Sequence, residues 1–169
     1  MKCFYLSLFL SVFLLGACST NSLTGTTPKP FSDVYVAGYS IPKPISCVPY
    51  ARDVSGVPIR GDAHTWWAQA DGRYVKAQTP KPGAIFVLSK SRRLSYGHLS
   101  VVTKVIDPRT IEVTHSNWGS NKRTRSIIYK RMRVEDTSPL NDWTSARFWN
   151  KDIKAYGSPY KASGFIYPS

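Results

Sequence analysis

Two adjacent strand-forming segments constrain the fold of this chain more strongly than any other feature of its sequence. The first runs from Gly97 to Val105 and the second from Thr110 to Asn117, with an Asp-Pro pair between them. Because an Asp-Pro pair is typical of a turn, the two segments predict an antiparallel hairpin. Such a hairpin holds the side chains that it carries in place, because backbone pairing fixes the residues on either side.

The hairpin carries two of the three histidines of the chain. Alternation places His98 on the face opposite Leu99, whereas His115 and Asn117 are two residues apart and share a face. Antiparallel pairing would put one of these two beside the His98 ring. A partner that accepts the imidazole N–H fixes the tautomer and orientation of the ring, as the third member of a catalytic triad does. Alone, His98 could equally be a satisfied strand histidine, and nothing near His64 suggests a partner.

The first residues are typical of a targeting segment. An apolar run from Phe4 to Leu15 is shorter than the roughly 20 residues that a membrane-spanning helix needs, so residues 1–17 fit a signal peptide. The stretch Leu15-Gly16-Ala17-Cys18 resembles a bacterial lipoprotein cleavage site. That resemblance implies that Cys18 carries a lipid and begins the mature chain. The alternative is ordinary secretory cleavage that leaves Cys18 as a plain thiol.

A lipid on Cys18 would anchor the protein to the membrane of a bacterial cell envelope. By resemblance to Gram-negative lipoproteins, Ser19 favours the periplasmic face of the outer membrane. Residues 18–44 are predicted to form a tether, because their first part is rich in Thr, Ser, Pro and Gly and can bury little apolar area. Alternatively the domain already begins with a strand within residues 31–39, since the Val-Tyr-Val stretch there favours strands.

The chain has three cysteines, at positions 3, 18 and 47. With Cys3 in the signal peptide and Cys18 acylated, Cys47 has no partner for a disulfide. An exported protein meets an oxidising environment, so an unpaired thiol there indicates a chemical role. The alternative is a buried, inert cysteine that packs as a small hydrophobic residue.

The residues around Cys47 favour the reactive interpretation. They predict a helix with Ser46 as N-cap, Pro49 in the first turn and Gly56 at the end. Cys47 then lies at a helix N-terminus, where the helix dipole favours a thiolate and backbone N–H groups can face an oxyanion. The expected base is His98, which is distant in sequence, so the two must meet through the fold.

Charge and composition narrow the class of partner. Residues 45–169 suit one domain, and no Walker loop, HExxH motif, zinc spacing or EF-hand loop occurs, so no cofactor or metal is expected. The net charge of +13 favours anionic partners such as acidic wall polymers, wall-peptide carboxylates or lipid head groups. The export signal argues against nucleic acid, and a solvated basic surface without a specific partner is the alternative. Nothing in the sequence indicates an oligomeric state.

Five segments, taken in order, carry a family resemblance: they are Cys47–Arg52, Gly61–Trp67, Pro82–Val87, Gly97–Val102 and Ile111–Trp118. Together they resemble the CHAP family, the cysteine- and histidine-dependent amidohydrolases and peptidases. The resemblance implies a papain-like α+β fold, in which an N-terminal helix bearing the Cys packs on an antiparallel sheet bearing the His and Asn. It also implies a hydrolase that cleaves a peptidoglycan amide, either as a muramoyl-L-alanine amidase or as a stem or cross-bridge endopeptidase.

The resemblance assigns roles residue by residue. Cys47 is the nucleophile, His98 the base and Asn117 the orienter of His98. Three aromatic residues are expected to line the substrate groove: Tyr50, Trp66 and Trp118. One member of the adjacent pair Trp66 and Trp67 is expected to lie in the core, since successive helix residues face different directions.

The sequence departs from the family pattern at two positions. His115 stands where many members carry a carboxylate, and a neutral His stabilises a His98 imidazolium less than a carboxylate does. The orienter is therefore either Asn117, which we favour, or His115, as in the related NlpC-type peptidases. Ser46 stands where Gln is common, which weakens the expectation of side-chain help at the oxyanion.

Two other functions stay open at the level of sequence. One is a non-catalytic peptidoglycan-binding lipoprotein, and the other is a thiol amidase that acts on small glutathione-like amides. The presence of Cys47, His98 and Asn117 together favours an enzyme, because a pure binding module need not keep them.

Overall fold

The computed structural model describes residues 45–168, which contain three helices and eight strands. The helices are α1 (Cys47–Ser55), α2 (Trp66–Gln69) and α3 (Lys122–Arg125), and a 3-10 turn, Ala63–Thr65, leads into α2. The strands are β1 (Val75–Ala77), β2 (Ile85–Leu88), β3 (His98–Asp107), β4 (Thr110–Ser116), β5 (Ile128–Asp136), β6 (Ser145–Asn150), β7 (Ala155–Tyr156) and β8 (Tyr160–Tyr167).

Three sequence predictions lie outside the described residues: the signal peptide over residues 1–17, the lipid on Cys18 and the tether over residues 18–44. None of the helices between residues 45 and 168 combines the length and apolar character needed to span a bilayer.

The strands form one antiparallel sheet in the order β1-β8-β2-β3-β4-β5-β6-β7. The last long strand, β8, lies between β1 and β2 and also pairs with β6. This extra pairing closes six of the strands into a ring. The helix α1 packs outside the ring, against β3 and β4. The predicted α+β arrangement, a short N-terminal helix on an antiparallel sheet, is therefore present.

The helix α1 begins and ends where the sequence predicts. Ser46 is its N-cap in extended conformation, although the Ser46 side chain makes no capping hydrogen bond. Gly56 closes the helix in the left-handed conformation at φ +73°, and its N–H bonds the carbonyl of Arg52. A glycine is suited to this end because it adopts positive φ without a steric penalty.

Strand alternation divides the apolar residues into two cores. The helix-side core lies between α1 and the sheet and includes Ala51, Ile59, Trp66, Val87, Leu99 and Val101. The ring-side core lies on the other face of the same strands and includes Phe86, Val102, Val113, Trp143, Phe148 and Phe165. Both faces of β2 and of the first five residues of β3 are buried, so the start of β3 is held in a fixed position.

A buried hydrogen bond joins the helix to the hairpin. The hydroxyl groups of Tyr50 and Thr114 lie 2.7 Å apart, and the Thr114 hydroxyl donates to the carbonyl of Tyr129 at 3.0 Å. Because the Thr114 proton is used there, Tyr50 is the donor in the first bond. The two bonds set the position of α1, and so of Cys47, relative to β4 and β5.

Candidate active site

Cys47 is the first residue of α1 and its side chain is buried. Burial raises the pKa of the Cys47 thiol, while hydrogen bonds from the backbone of Leu99 and Val48 and from the Ser46 side chain oppose the increase. The direction of the shift keeps the thiol protonated near neutral pH, because desolvation penalises the thiolate. Desolvation therefore outweighs the hydrogen bonds at this helix N-terminus, where the sequence predicts a thiolate.

His98 is the first residue of β3, directly after the turn at Gly97. Only 3% of its surface is exposed, and burial lowers its pKa to about 3. Burial thus favours the neutral form of both the thiol and the imidazole. Both residues line one cleft of about 1080 Å³.

The partner of His98 is His115 on the neighbouring strand β4. The Nε2 atom of His98 lies 2.8 Å from the Nδ1 atom of His115. His115 has no exposed surface, and burial, with a smaller contribution from the charge of His98, lowers its pKa well below the usual value. With Nε2 of His98 bonded to His115, the other ring nitrogen, Nδ1, has no hydrogen-bond partner among the described residues.

Aromatic rings enclose the two histidines and account for their burial. The Trp118 ring centre lies 4.6 Å from that of His98 and 5.4 Å from that of His115. Phe148 stacks on His115 at 5.6 Å, and Tyr129 lies 5.3 Å away. Trp118 also lines the cleft, as the sequence predicts for a groove residue.

Asn117, the favoured orienter of His98, is not among the hydrogen-bond partners of that ring. The parity argument that placed Asn117 on the face of His115 holds only within a continuous strand, and β4 ends at Ser116. Asn117 follows in the left-handed conformation at φ +54° and is exposed at the cleft. The geometry therefore supports the alternative, His115, as the group that orients His98.

Two of the three residues expected to line the substrate groove are buried in the protein instead. Trp66 has no exposed surface and belongs to the helix-side core, while Trp67 is half-buried with the Lys76 ammonium over its ring. Tyr50 is buried and uses its hydroxyl on Thr114. Both point into the protein because α1 and α2 pack their apolar sides on the sheet, which the sequence pattern does not reveal for a single aromatic residue.

Two contributors to the site have no signal in the sequence. The backbone N–H of His64 donates to the carbonyl of Tyr96 at 3.0 Å, which braces the turn that leads into His98. The thioether sulfur of Met132 lies 3.2 Å from Nε2 of His115. Each depends on a contact between residues more than 15 positions apart.

Among the described residues, no cluster of three or more His, Cys, Asp or Glu side chains could hold a metal ion.

Comparisons with known proteins identify a family and a similar solved structure. Residues 35–117 match the family model of the CHAP domain, a span that includes Cys47, His98 and His115. Among solved structures, the chain is similar to an N-acetylmuramoyl-L-alanine amidase from Staphylococcus aureus, at 23% identity and a TM-score of 0.45. That alignment covers 70% of this chain and 30% of the amidase, so this chain spans less than a third of that protein. A comparison with curated proteins gives no match.

Replacing Gly97 by Ala should lower both stability and the reactivity of Cys47. A Cβ atom at Gly97 would lie 2.6 Å from the carbonyl oxygen of Leu88 and 2.8 Å from the backbone nitrogen of His64. The turn must then shift and carry His98 with it. Thermal unfolding and the rate of Cys47 alkylation by iodoacetamide measure the two effects.

Gly56→Ala is the matched control for this substitution. Gly56 has φ +73°, close to the +70° of Gly97, but a Cβ there meets nothing within 4 Å. It should therefore cost only the left-handed backbone strain, about 1–2 kcal/mol. Equal effects of the two substitutions would contradict the importance of close packing at Gly97.

Acidification should destabilise the protein through His98. Its pKa of about 3 in the folded state lies below the roughly 6.5 of an unfolded histidine, so between these values the unfolded chain binds a proton that the folded chain does not. The free energy of unfolding must then fall as the pH falls through this window. The loss from His98 is about 2 kcal/mol at pH 5.

Urea unfolding at pH 7.5 and pH 5 measures this loss, with His98→Gln expected to show a smaller difference between the two conditions. His64→Gln is the control, since His64 lies outside the His98–His115 pair. An identical pH dependence in the wild type and His98→Gln would show that burial does not hold His98 neutral.

Proposed function

This chain carries a CHAP domain, and from that premise we propose that it is a cysteine amidase or peptidase that hydrolyses an amide bond of peptidoglycan. One observation carries the proposal: Cys47 and His98 line the same cleft, and the His98–His115 bond leaves Nδ1 of His98 without a hydrogen-bond partner among the described residues. A thiol and a ring nitrogen at the surface of a cleft are the groups that thiol-dependent acyl transfer requires.

The first chemical step is attack by the Cys47 sulfur on the amide carbonyl. Because the resting pair is neutral, Nδ1 of His98 takes the thiol proton as the sulfur–carbon bond forms, and not before substrate binds. Proton transfer coupled to attack avoids the cost of a thiolate and an imidazolium in a buried site.

The negative charge that develops on the carbonyl oxygen falls at the N-terminus of α1. The Ser46 side chain makes no capping hydrogen bond, so the first backbone N–H groups of the helix are not occupied by it. These groups, and the positive end of the dipole of a nine-residue helix, suit an oxyanion. This arrangement does not need the Gln that often precedes the nucleophile in the family.

The remaining steps return the site to its starting state. His98 gives its proton to the amide nitrogen as the carbon–nitrogen bond breaks, which leaves a thioester on Cys47. A water molecule then attacks the thioester while His98 takes one of its protons. The carbon–sulfur bond breaks, a carboxylic acid leaves and the sulfur regains its proton.

The transient imidazolium is stabilised without a carboxylate. Nε2 of His98 donates to the neutral ring of His115, and the Trp118 ring lies 4.6 Å from His98. A cation near an aromatic ring gains about 0.5–2 kcal/mol, with the larger values in desolvated sites. We therefore assign His115 the orienting role and Trp118 a part in stabilising the charged ring.

The charge of a side pocket next to the cleft supports a substrate that carries carboxylates. A side pocket of about 460 Å³ adjoins the cleft and shares Ser46 and Asn117 with it. Two cationic residues, Lys122 and Arg125, and no acidic residue line this pocket. Arg125 is held there by a bond from its Nε atom to the carbonyl of Gly119 at 3.1 Å. Peptide stems of the wall, with their free carboxylates, suit such a pocket.

We further propose that the protein works in the bacterial cell envelope, anchored to the membrane by a lipid on Cys18. The support is the Leu15-Gly16-Ala17-Cys18 motif after an apolar run. In a Gram-negative host this places the protein at the periplasmic face of the outer membrane. An anchored enzyme would meet peptidoglycan as an immobile polymer rather than as a free peptide.

The wild-type protein should release soluble fragments from purified peptidoglycan, whereas the Cys47→Ala and His98→Ala variants should release none. Mass spectrometry of the fragments identifies the bond, because an amidase separates intact stem peptides from glycan whereas an endopeptidase cuts within them. Sedimentation of the protein with the wall is measured in parallel. Binding by the wild type and by Cys47→Ala, without release by either, would favour a binding module over an enzyme.

Replacing both Lys122 and Arg125 by Gln should raise KM several-fold and leave kcat nearly unchanged. Each exposed ion pair with a substrate carboxylate contributes about 0.2–1 kcal/mol, and added salt should reduce the difference from the wild type. The rate of wall digestion at increasing substrate and salt concentrations measures both effects.

The double variant Arg123→Gln with Lys130→Gln is the matched control, because it removes the same charge from residues that line neither cavity. Arg125→Lys separates the charge from the bond to Gly119. If the control raises KM as much as the test variant, the effect belongs to net charge and not to the side pocket.

A further inference from the structure

The contact between Met132 and His115 determines which ring nitrogens of both histidines carry a proton. The Met132 sulfur lies 3.2 Å from Nε2 of His115 and is the only hydrogen-bond partner of that atom among the described residues. A thioether sulfur has no proton and can only accept. Nε2 of His115 must therefore be the donor.

The position of the proton on His115 in turn determines its position on His98. A neutral His115 that is protonated on Nε2 has a bare Nδ1, and this atom lies 2.8 Å from Nε2 of His98. Nε2 of His98 must then carry the proton of that bond. His98 is left with a bare Nδ1, the form that a general base requires.

We propose that Met132 is a positioning residue that selects, through His115, the tautomer in which His98 presents an unprotonated Nδ1 to the thiol of Cys47. This inference rests on the proposed function for its catalytic meaning and on the hydrogen-bond geometry for the tautomers. In the opposite arrangement Nδ1 of His115 donates to His98, and His98 points an N–H at the thiol. That arrangement cannot take the thiol proton, and it sets a bare Nε2 of His115 against the lone pairs of the sulfur.

The backbone of β5 aims Met132 at His115. The register with β4 changes from Val113 opposite Met132 to His115 opposite Tyr129, so β5 carries a bulge between these pairs. Arg131 occupies the bulge at φ +55°, and its Nε donates to the carboxylate of Glu112 at 2.8 Å. Bulges of this kind redirect a side chain beside a functional site.

The other neighbours of His115 do not compete for its N–H. Three aromatic residues contact His115 through the faces or edges of their rings: Trp118, Tyr129 and Phe148. The Tyr129 hydroxyl donates to the carbonyl of Thr124 at 3.2 Å. The sulfur is thus the one acceptor that this pocket offers to Nε2, within the part of the chain that the structure describes.

The composition of the chain allows a substitution of the sulfur alone. The protein has two methionines, Met1 and Met132. Production in the presence of norleucine replaces the Met132 sulfur by a methylene group at nearly constant shape, whereas selenomethionine keeps an acceptor at the same position. Met132→Leu is the genetically encoded counterpart without an acceptor.

Nitrogen-15 NMR spectra of the histidine rings distinguish the two tautomers directly. With methionine or selenomethionine, His98 and His115 should each carry a proton on Nε2 and none on Nδ1. With norleucine, the ratio of the two tautomers should shift about fivefold toward the opposite form, since a single neutral hydrogen bond is worth about 1 kcal/mol. The kcat for wall hydrolysis should fall in proportion to the remaining population of the active tautomer, at unchanged KM. Unchanged melting temperatures would exclude a structural cause.

A proton on Nδ1 of His115 in the methionine protein would overturn the proposal. So would a norleucine protein with the tautomers and kcat of the wild type. The spectra need no turnover, so they separate this proposal from the proposed function. Expected tautomers in a protein that releases no wall fragments would support the role of Met132 in tautomer selection and refute the hydrolase.

Discussion

The hydrogen bond between Nε2 of His98 and Nδ1 of His115 is the interaction on which the rest of the site depends. It requires β3 and β4 to pair in one register, and it requires at least one of the two rings to be neutral, since two imidazolium rings have no nitrogen that can accept the bond. The aromatic cover by Trp118 and Phe148 supplies that neutrality by excluding water. The ring-side core is therefore part of the chemistry, because it sets the protonation of the base.

Burial defines how such a site can work. It raises the pKa of Cys47 and lowers that of His98, which favours the neutral form of both groups, so in the proposed mechanism they become charged only during attack on a carbonyl. A neutral thiol is less open to oxidation than a thiolate, which would suit an unpaired cysteine in the exported protein that we propose. In the proposed mechanism the charges must be stabilised when they form: the N-terminus of α1 would face the oxyanion, and His115 and Trp118 lie beside the ring of His98.

The turns at the ends of the strands place the functional residues. Gly97 holds the turn before His98, where a Cβ atom would collide with Leu88 and His64. Asn117 follows the end of β4 in the left-handed conformation, and its side chain does not bond the ring of His98. Arg131 makes the bulge that brings Met132 to His115. Each is a local departure from strand geometry, and each decides which side chain meets a histidine ring.

The sequence by itself determined the elements that depend on local rules: the helix start at Ser46, its end at Gly56, the hairpin of β3 and β4 and the α+β class. It also singled out Cys47 and His98, because an unpaired thiol at a helix start and a histidine on a strand are visible without a fold. The tertiary structure alone decided that Trp66 and Tyr50 are structural and that His115, not Asn117, bonds His98. It also decided that the ring closes through β8 and β6 and that Met132 reaches His115.

These outcomes rest on where a strand stops, on a one-residue bulge and on packing between distant segments. Periodicity carries none of this information, because it describes each segment as though it continued unchanged.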